Sequence, residues 1–345
     1  MSTLVVTSIG PASSVQDGGR FGAQRYGLTP SGAMDKLSLA AANSLVGNVP
    51  LSAAIEIGPF GAVFTAKGGA VRVALAGAPR PADIAKRPVE FNTSVTLADG
   101  ETLTLGFARG GSFSYLAIQG GIEGEAIFGS LSVNARAGLG SPYPRPLQSG
   151  DTFEAQPAAD APERQISLPP TSNGPIRVVL GPQDDEFTDE MTALFLDSEW
   201  KISATSDRMG YRLEGPAIRH LHGHNIVSDG TVEGSIQITG SGAPIVLMAD
   251  RGTSGGYPKL ATVITADFGR LAQTPVGTGF RFKAVTMAEA QAEARKFKQL
   301  IERMPDHVSD IENVELRLEA LMSANVAGHA LSATDPATWQ AVTSD

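Results

Sequence analysis

The sequence predicts a mainly β fold with some α-helix, organised as two domains. Glycine (39 residues) and proline (22 residues) exceed their usual share, which implies many tight turns. Short apolar runs bounded by Gly, Asn or Asp recur in both halves of the chain, as in closed or nearly closed β structures. At roughly 150 residues per domain, the 345 residues suffice for two domains.

The first half is predicted to begin with a buried strand over residues 3–9, followed by an extended glycine-rich loop. Apolar residues at helical spacing then predict a helix over roughly 33–46, with Ser31 as its N-cap and Asp35 in its first turn. Further strands are predicted over residues 53–57, 62–66, 71–77, 94–98, 102–107 and 113–119.

The second half repeats this order of elements after a proline-rich segment over residues 155–175, the predicted linker. We therefore predict an N-terminal domain over 1–160 and a C-terminal domain over 161–285. The second domain should contain a helix over 185–196 and strands over residues 176–180, 200–204, 234–240, 244–250 and 261–266.

The composition changes again after residue 285. Two amphipathic segments rich in Ala, Glu, Leu and basic residues, 286–304 and 310–324, predict helices. Each helix would leave a charged face, so the pair could pack on the domain or on another subunit. We predict a helical C-terminal extension over 286–345.

Composition excludes several classes of site. With no cysteine, the chain has no disulfide, no thiolate nucleophile and no cysteine-ligated metal. A formal charge of −9 without a long basic run argues against nucleic acid or an anionic membrane as a partner. No apolar run is long enough for a transmembrane helix, and the first residues do not resemble a signal peptide, so we expect a cytoplasmic protein.

Two polar segments could either bind a ligand or brace a loop. Asp17 and Arg20 lie in the first glycine-rich loop, where an ion pair between them would suffice to hold the loop. Asp207 and Arg208 lie beside a glycine turn, and a guanidinium there could hold a carboxylate or phosphate by forked hydrogen bonds. The sequence leaves both alternatives open.

Three histidines, His220, His222 and His224, would share one face of a strand. Gly223 interrupts that strand, and no carboxylate cluster accompanies the histidines at a fixed spacing. We therefore predict no metal site.

The densest polar segment follows the predicted strand over residues 244–250. Asp250 ends this strand, Arg251 and Lys259 supply positive charge, and the Gly255-Gly256 pair lets backbone amides approach an anion. The segment matches neither a Walker A loop nor a GxGxxG turn, and the chain lacks the GxSxG elbow of serine hydrolases. The pattern alone predicts a site for an anion or another polar ligand.

Nine segments, in order from about residue 4 to 285, resemble the family of allophanate hydrolase subunit 2, also called KipA or PxpC (the C-type subunit of 5-oxoprolinase). The module also resembles part of the carboxyltransferase domain of urea carboxylase. The segments that carry the resemblance are SSVQDGGR, PSGAMDKLSLAAANSLVGN, FSYLAIQGGI, ARAGLG, RPLQSGD, GPQDDEF, SDRMGYRLEG, IVSDGTVEGSIQ and PIVLMADRGTSGGYPKLATV.

The resemblance implies two cyclophilin-like β-barrel domains and a partner subunit of the KipI/PxpB type. It implies the role of the PxpC subunit in an ATP-dependent 5-oxoprolinase, with a separate PxpA-type subunit, that opens the lactam of 5-oxoproline to glutamate. ATP with Mg²⁺ would act through the complex, because phosphorylation of the amide oxygen creates a better leaving group.

On this basis we predict Asp250, Lys259 and Asp229 as catalytic residues. Asp250 would be a general base or a carboxylate on the side of the metal, and Lys259 would bind an anion, as would Arg251. The predicted substrate-binding or anion-binding residues are Arg208, Asp207, Gln237, Arg251, Thr253 and Tyr257.

Two positions depart from the family pattern. Leu131 replaces the arginine of LGSRST, and Gly252 replaces the glutamine of RQTTGGYPK. Leucine cannot supply an arginine's charge or donors, and glycine removes a side-chain amide. These changes bear on the substrate rather than on the fold.

Two alternative functions remain open from the sequence. A carboxyltransferase component would receive a carboxyl group from a biotin carrier, and this chain has no Met-Lys-Met carrier motif of its own. A KipA-like module without enzymatic activity would bind a regulatory partner instead. Turnover of a lactam or urea compound separates the enzymatic hypotheses from the last one.

Overall fold

Short strands dominate the computed structural model, which describes residues 2–170 and 172–311. In chain order the strands are β1 Ser2–Ile9, β2 Ser14–Gln16, β3 Ala54–Ile57, β4 Ala62–Lys67, β5 Val71–Gly77, β6 Ala82–Ile84, β7 Arg87–Pro88, β8 Thr93–Leu97, β9 Thr102–Leu105, β10 Ser114–Ile118, β11 Thr152–Ala155, β12 Arg164–Ile166, β13 Ile176–Leu180, β14 Trp200–Ile202, β15 Gly210–Glu214, β16 Asp229–Gly230, β17 Ser235–Ile238, β18 Pro244–Leu247, β19 Ser254–Gly255, β20 Lys259–Val263, β21 Gly279–Phe280, β22 Phe282–Ala284 and β23 Val308–Asp310. The helices of this part of the chain are α1 Lys36–Leu45, α2 Asp189–Asp197, α3 Thr265–Gln273 and α4 Met287–Glu302.

Two antiparallel sheets come mainly from the first half of the chain. Their strand orders are β11-β1-β4-β9-β6-β7 and β2-β3-β10-β5-β8-β12-β23. Alternation along β1 turns Leu4 and Val6 inward, where they join Phe64, Ile55 and Leu116 in a fully buried core. Burial of these side chains holds the two sheets together.

The second half forms an eight-stranded sheet in the order β21-β14-β15-β18-β17-β20-β13-β22. Its pairs are antiparallel except for β13 with β22. Trp200, Phe195 and Phe282 pack in the core of this sheet, and the indole of Trp200 donates a hydrogen bond to the Phe195 carbonyl over 2.9 Å. The short pair β16-β19 lies outside it and brings Asp229 opposite Gly255.

The mainly β fold with barrel-like sheets is confirmed, and the predicted strands of both halves are present. α3 was missed because the strand predicted over 261–266 ends at Val263 and a helix begins at Thr265. Gly269 lies inside α3 and weakens its helical signal. The glycine permits close packing, since a Cβ at this position would lie 2.9 Å from Oδ1 of Asp35.

The predicted N-cap of the first helix is wrong. Asp35, rather than Ser31, caps α1, and its Oδ1 accepts hydrogen bonds from the amides of Leu37 (3.1 Å) and Ser38 (3.2 Å). Ser31 lies before the cap, where its hydroxyl accepts a hydrogen bond from the side-chain amide of Asn134 instead.

The region after residue 285 contains both helix and strand. α4 matches the first predicted helix and begins with a capping box formed by Thr286 and Glu289. The chain then returns as β23 to pair with β12, which lies within the predicted linker. The second helix predicted there, over 310–324, falls outside the described residues except at its first two positions.

The chain up to Asp310 forms one compact unit. The division at residue 160 into two domains stays a prediction: β12 and β23, which lie beyond that residue, pair into a sheet of the first half. Within residues 2–170 and 172–311, no helix is both long enough and apolar enough to cross a membrane.

Candidate functional site

Arg208 holds the carboxylate of Asp250 by two hydrogen bonds. Its Nε donates to Oδ2 over 2.8 Å and its Nη2 to Oδ1 over 3.1 Å. The Asp250 amide also donates to the Arg208 carbonyl over 2.8 Å, so backbone and side chain both set the position of the acid. A forked pair of this kind restricts the orientation of the carboxylate plane.

Behind this pair lies a buried acid that sequence reasoning missed. Glu56, on β3, is fully buried and accepts hydrogen bonds from Nη1 of Arg208, the Met34 amide and the Tyr115 hydroxyl. The Tyr115 hydroxyl in turn accepts one from the Asp35 amide over 2.8 Å. The sequence did carry a signal for Glu56, since it is the single acid in the apolar run AAIEI over residues 53–57. A carboxylate buried in such a run requires hydrogen-bond partners.

These contacts determine the charge of Arg208 and keep the proton on the Tyr115 hydroxyl. Burial disfavours the charge on Arg208, but Asp250 and Glu56 outweigh it and raise the pKa of Arg208 above its ordinary value. Burial, with the negative charge of Glu56, raises the pKa of Tyr115 well above its ordinary value. Arg208 therefore stays charged, and Tyr115 stays a hydrogen-bond donor.

Arg251 differs from Arg208 because no acid is bonded to it within residues 2–170 and 172–311. The residue is only 4% exposed, and its Nε and Nη1 are buried without a hydrogen-bond partner in this part of the chain. Burial lowers the pKa of Arg251, and the negative charge of Glu233 offsets this in part. Buried guanidinium donors without acceptors are costly, which makes Arg251 suited to receive an anionic ligand.

Asp17 and Arg20 brace the first loop, and no ion pair joins them among the residues that the structure describes. Asp17 accepts hydrogen bonds from the Ser130 hydroxyl (2.8 Å) and the Leu131 amide (2.7 Å). Arg20 is 1% exposed and donates to the carbonyls of Ile127 and Ser132. Burial lowers the pKa of Arg20, and the charges of Asp17 and Asp250 oppose this shift.

A cavity of about 220 Å³ joins loops from both halves of the chain, and we call it the Asp250 cavity. Asp250, Arg251 and Thr253 contribute from the second half, and Thr29 and Asn134 from the first. Its walls thus offer a carboxylate, the guanidinium groups of Arg136 and Arg251, hydroxyls and an amide. Such a set can bind a small polar molecule and exchange a proton with it.

A second group of predicted residues surrounds Lys259. The ammonium of Lys259 is buried and donates to Oδ2 of the exposed Asp229 over 3.0 Å, and the side chain of Gln183 donates to the same oxygen over 3.2 Å. The hydrogen bond from Lys259 holds the pKa of Asp229 below its ordinary value. The side-chain amide of Gln237 donates to the Tyr257 carbonyl over 3.2 Å.

The predicted site residues thus fall into two groups connected by the loop over residues 250–259. Thr253 belongs to the first group and is held by its neighbours, since its carbonyl accepts hydrogen bonds from the Thr231 amide and the Gln24 side chain. Asp207 lies instead in an exposed turn, where its Oδ1 accepts from the amides of Met209 (2.8 Å) and Gly210 (3.2 Å).

The histidine segment does not form a metal centre. Nε2 of His220 lies 3.1 Å from the Ile238 carbonyl, and its ring packs on Phe187. Over residues 2–170 and 172–311, no group of three or more His, Cys, Asp or Glu side chains is arranged to hold a metal ion.

The two departures from the family pattern have different surroundings. Leu131 is partly buried and packs against the apolar core of the first half. Gly252 lines the Asp250 cavity, and a Cβ there would meet only the Ser254 carbonyl, at 3.3 Å. The missing side chain therefore changes the cavity wall directly.

Comparisons with known proteins place the chain among carboxyltransferase-type proteins. Residues 26–284 match the family described as carboxyltransferase domain, subdomain A and B. The C-type subunit of the Escherichia coli 5-oxoprolinase is 35% identical over 308 residues, covering 87% of this chain and 98% of the relative. The urea amidolyase of Lachancea kluyveri is 30% identical, with 87% of this chain but only 18% of the relative covered.

A solved structure shows the same fold. The crystal structure of the K. lactis urea amidolyase superposes with a TM-score of 0.80 at 27% identity. The match covers 90% of this chain and 21% of that one, so this chain corresponds to about a fifth of the larger protein. On the family match and the identity to the 5-oxoprolinase relatives, this chain belongs to the carboxyltransferase-domain family, subdomains A and B, that includes the C-type subunit of 5-oxoprolinase.

Proposed function

We propose that this chain is the PxpC-type subunit of a 5-oxoprolinase-like complex that couples ATP hydrolysis to opening of the 5-oxoproline lactam. The complex would also contain a KipI/PxpB-type subunit and a PxpA-type subunit. One observation carries the proposal: Asp250, held by Arg208, shares a cavity wall with Arg251, which is buried and has two N–H groups without a partner among the described residues. The similarity to a 5-oxoprolinase subunit over almost its whole length supports it.

The chemistry of lactam opening requires a base and a proton for the leaving nitrogen. Amide resonance resists attack by water, so ATP would first phosphorylate the amide oxygen in the complex. Water then adds to the carbonyl carbon and loses a proton to a base, which can return it to the ring nitrogen as the C–N bond breaks, and a second water releases phosphate from the acyl phosphate to give glutamate. The Asp250 carboxylate is oriented by Arg208 and lines the cavity, where it can take that proton. Arg251 lines the same cavity and offers N–H donors to an anionic group of the substrate.

Lys259 and Asp229 support the other end of the same loop. Their ion pair and the hydrogen bonds with Gln183 hold the chain at residue 259, at the far end of the loop from Asp250. The pair also leaves an exposed carboxylate beside a buried ammonium, which can bind a polar group of substrate or of a partner subunit.

ATP with Mg²⁺ would supply the activated amide oxygen in the assembled complex. The described residues assemble no cluster of three or more acidic or histidine side chains for a metal ion. We propose that the nucleotide and its Mg²⁺ bind in the assembled complex.

The second candidate is a component that transfers a carboxyl group from a biotin carrier. The name of the matching family and the fold shared with the K. lactis urea amidolyase favour it. Under this hypothesis Arg251 would bind the transferred carboxyl group, and Asp250 would take a proton from the acceptor nitrogen. Carboxylated product instead of glutamate would identify this reaction.

The test uses the complex reconstituted with its partner subunits. Asp250→Asn keeps the shape of the side chain and removes its basicity, so we expect kcat for ATP-dependent lactam opening to fall by about 100-fold or more. Lys259→Ala should also lower activity. The controls Asp306→Asn and Lys296→Ala change exposed residues of the same types and should retain activity. Full activity of both site variants would overturn the assignment.

A further inference from the structure

Arg251 lies between two cavities. One is the Asp250 cavity of about 220 Å³, and the other, of about 670 Å³, lies beside α4, with walls that include Val179, Val232 and Ala290. Nε and Nη1 of Arg251 lie on different edges of the planar guanidinium, and both are buried without a hydrogen-bond partner among the described residues. A ligand that reached either N–H group would supply the missing acceptor.

The two cavities differ in the polar groups they offer beside Arg251. The Asp250 cavity adds Arg136 and the short polar side chains of Thr253, Asn134 and Thr29. The larger cavity adds Glu233, an acid that would repel an anion and that pairs at 3.5 Å with Lys36. A small anion is thus better accommodated on the side of the Asp250 cavity.

The charge balance points to a ligand with one negative charge. Arg208 is already neutralised by Asp250 and Glu56, whereas Arg251 has no bonded acid in the described part of the chain, and Arg136 also lines the cavity. Three guanidinium groups and two carboxylates leave one net positive charge there, which suits a carboxylate better than a doubly charged phosphate.

We propose that Arg251 is the subsite for the substrate's carboxylate, so that the Asp250 cavity selects a lactam acid over a neutral lactam or urea. This inference rests on the proposed function and adds a specificity-determining residue to it. With its carboxylate bound to Arg251, the lactam ring would lie in the same cavity as Asp250. A neutral analogue would leave the buried guanidinium without its acceptor, which is the strongest form of discrimination a site can make.

Calorimetry with the full chain tests binding without catalysis. The probes are 5-oxoproline, 2-pyrrolidinone (the same ring without the acid) and inorganic phosphate. We expect Arg251→Gln to weaken binding of 5-oxoproline by about 10- to 100-fold and to leave any weak binding of 2-pyrrolidinone unchanged. Arg303→Gln, a change at an exposed arginine, is the matched control and should bind like the wild type.

Two variants, each with a large side chain in one of the two cavities, test which cavity binds 5-oxoproline. Ala137→Trp fills the Asp250 cavity and should weaken 5-oxoproline binding, whereas Ala290→Trp fills the larger cavity and should leave it intact. The proposal would be overturned if Ala290→Trp, rather than Ala137→Trp, weakened binding of 5-oxoproline. Equal affinity for 5-oxoproline and 2-pyrrolidinone would also overturn it, as would phosphate that binds through Arg251 more tightly than 5-oxoproline does. Absence of 5-oxoproline binding to the wild-type chain would do the same.

Kinetics of the reconstituted complex separate this inference from the proposed function. Arg251→Gln should raise KM for 5-oxoproline more than it lowers kcat, since the carboxylate does not react. If the wild-type complex opened no lactam while the chain still bound 5-oxoproline through Arg251, the proposed function would fail and the subsite would stand. If the complex opened the lactam normally and Arg251→Gln left KM for 5-oxoproline unchanged, the proposed function would stand and the subsite would fail.

Discussion

Replacing Tyr115 by phenylalanine tests whether the buried network behind Arg208 stabilises the fold as described. The hydroxyl of Tyr115 donates to Glu56 over 2.7 Å and accepts from the Asp35 amide over 2.8 Å, and the residue is fully buried. Tyr115→Phe removes both hydrogen bonds and leaves the Asp35 amide and the Glu56 carboxylate with one partner fewer each. Water cannot replace the lost group there without opening the core.

The expected cost follows from the two bonds. A hydrogen bond to a charged group contributes about 1.5–3 kcal/mol and a neutral one about 0.5–1.5 kcal/mol. The two together predict a loss of about 2–4.5 kcal/mol in the free energy of unfolding. Because the same hydroxyl helps to hold Glu56, and Glu56 bonds Arg208, the variant should also loosen the support of Asp250.

Urea denaturation of the full chain, followed by circular dichroism, measures this loss. The control is Tyr143→Phe, which also removes two hydrogen bonds, with the amide and carbonyl of Thr152, but at a partly exposed position. Solvent can replace those bonds, so we expect a cost below about 1 kcal/mol. If Tyr115→Phe cost no more than Tyr143→Phe, the buried network would not have the structural role argued for it.

Two further predictions concern stability. Asp267 is buried and bonded to Arg177 through both oxygens, at 2.7 and 3.0 Å, so Asp267→Asn should cost about 3 kcal/mol in a denaturant titration. Burial opposes the Asp267 charge, but Arg177 holds the pKa of Asp267 below its ordinary value. The stabilisation by this ion pair is therefore complete above about pH 4–5 and is lost as pH falls through the folded pKa. The stability of Asp267→Asn should lack this loss at acid pH. Gly61→Ala should cost about 1–3 kcal/mol because a Cβ would lie 2.5 Å from the Leu105 carbonyl, whereas Gly230→Ala, with open space, should shift the urea midpoint little; equal shifts would contradict the packing argument.

The strands were predictable because apolar runs and turn residues set them locally. β1, β4 and β5 each alternate or run apolar between turn residues, and each appears within one or two residues of its predicted bounds. α3 was not predictable in the same way, because its Gly269 is needed for close packing against Asp35, which lies in the other half of the chain. Local pattern carries no information about such a contact.

The candidate site was predictable in part for the same reason. Asp250, Arg251 and Lys259 lie in one polar, glycine-rich loop, which marks them in the sequence. Glu56 and Tyr115 lie on strands from the other half of the chain and reach Arg208 only through the fold. The turn that Asp207 braces looks the same in sequence as a binding loop, because the same residue types serve both purposes.

The assignment of Asp250 as the base for lactam opening within an ATP-dependent complex has one most direct test. Glutamate release and ATP hydrolysis are followed together in the reconstituted complex supplied with 5-oxoproline. We predict that both products form with the wild-type chain and that both nearly vanish with Asp250→Asn, while Asp306→Asn matches the wild type. Undiminished glutamate release with Asp250→Asn, or incorporation of bicarbonate into a urea-type product without glutamate, would contradict the assignment.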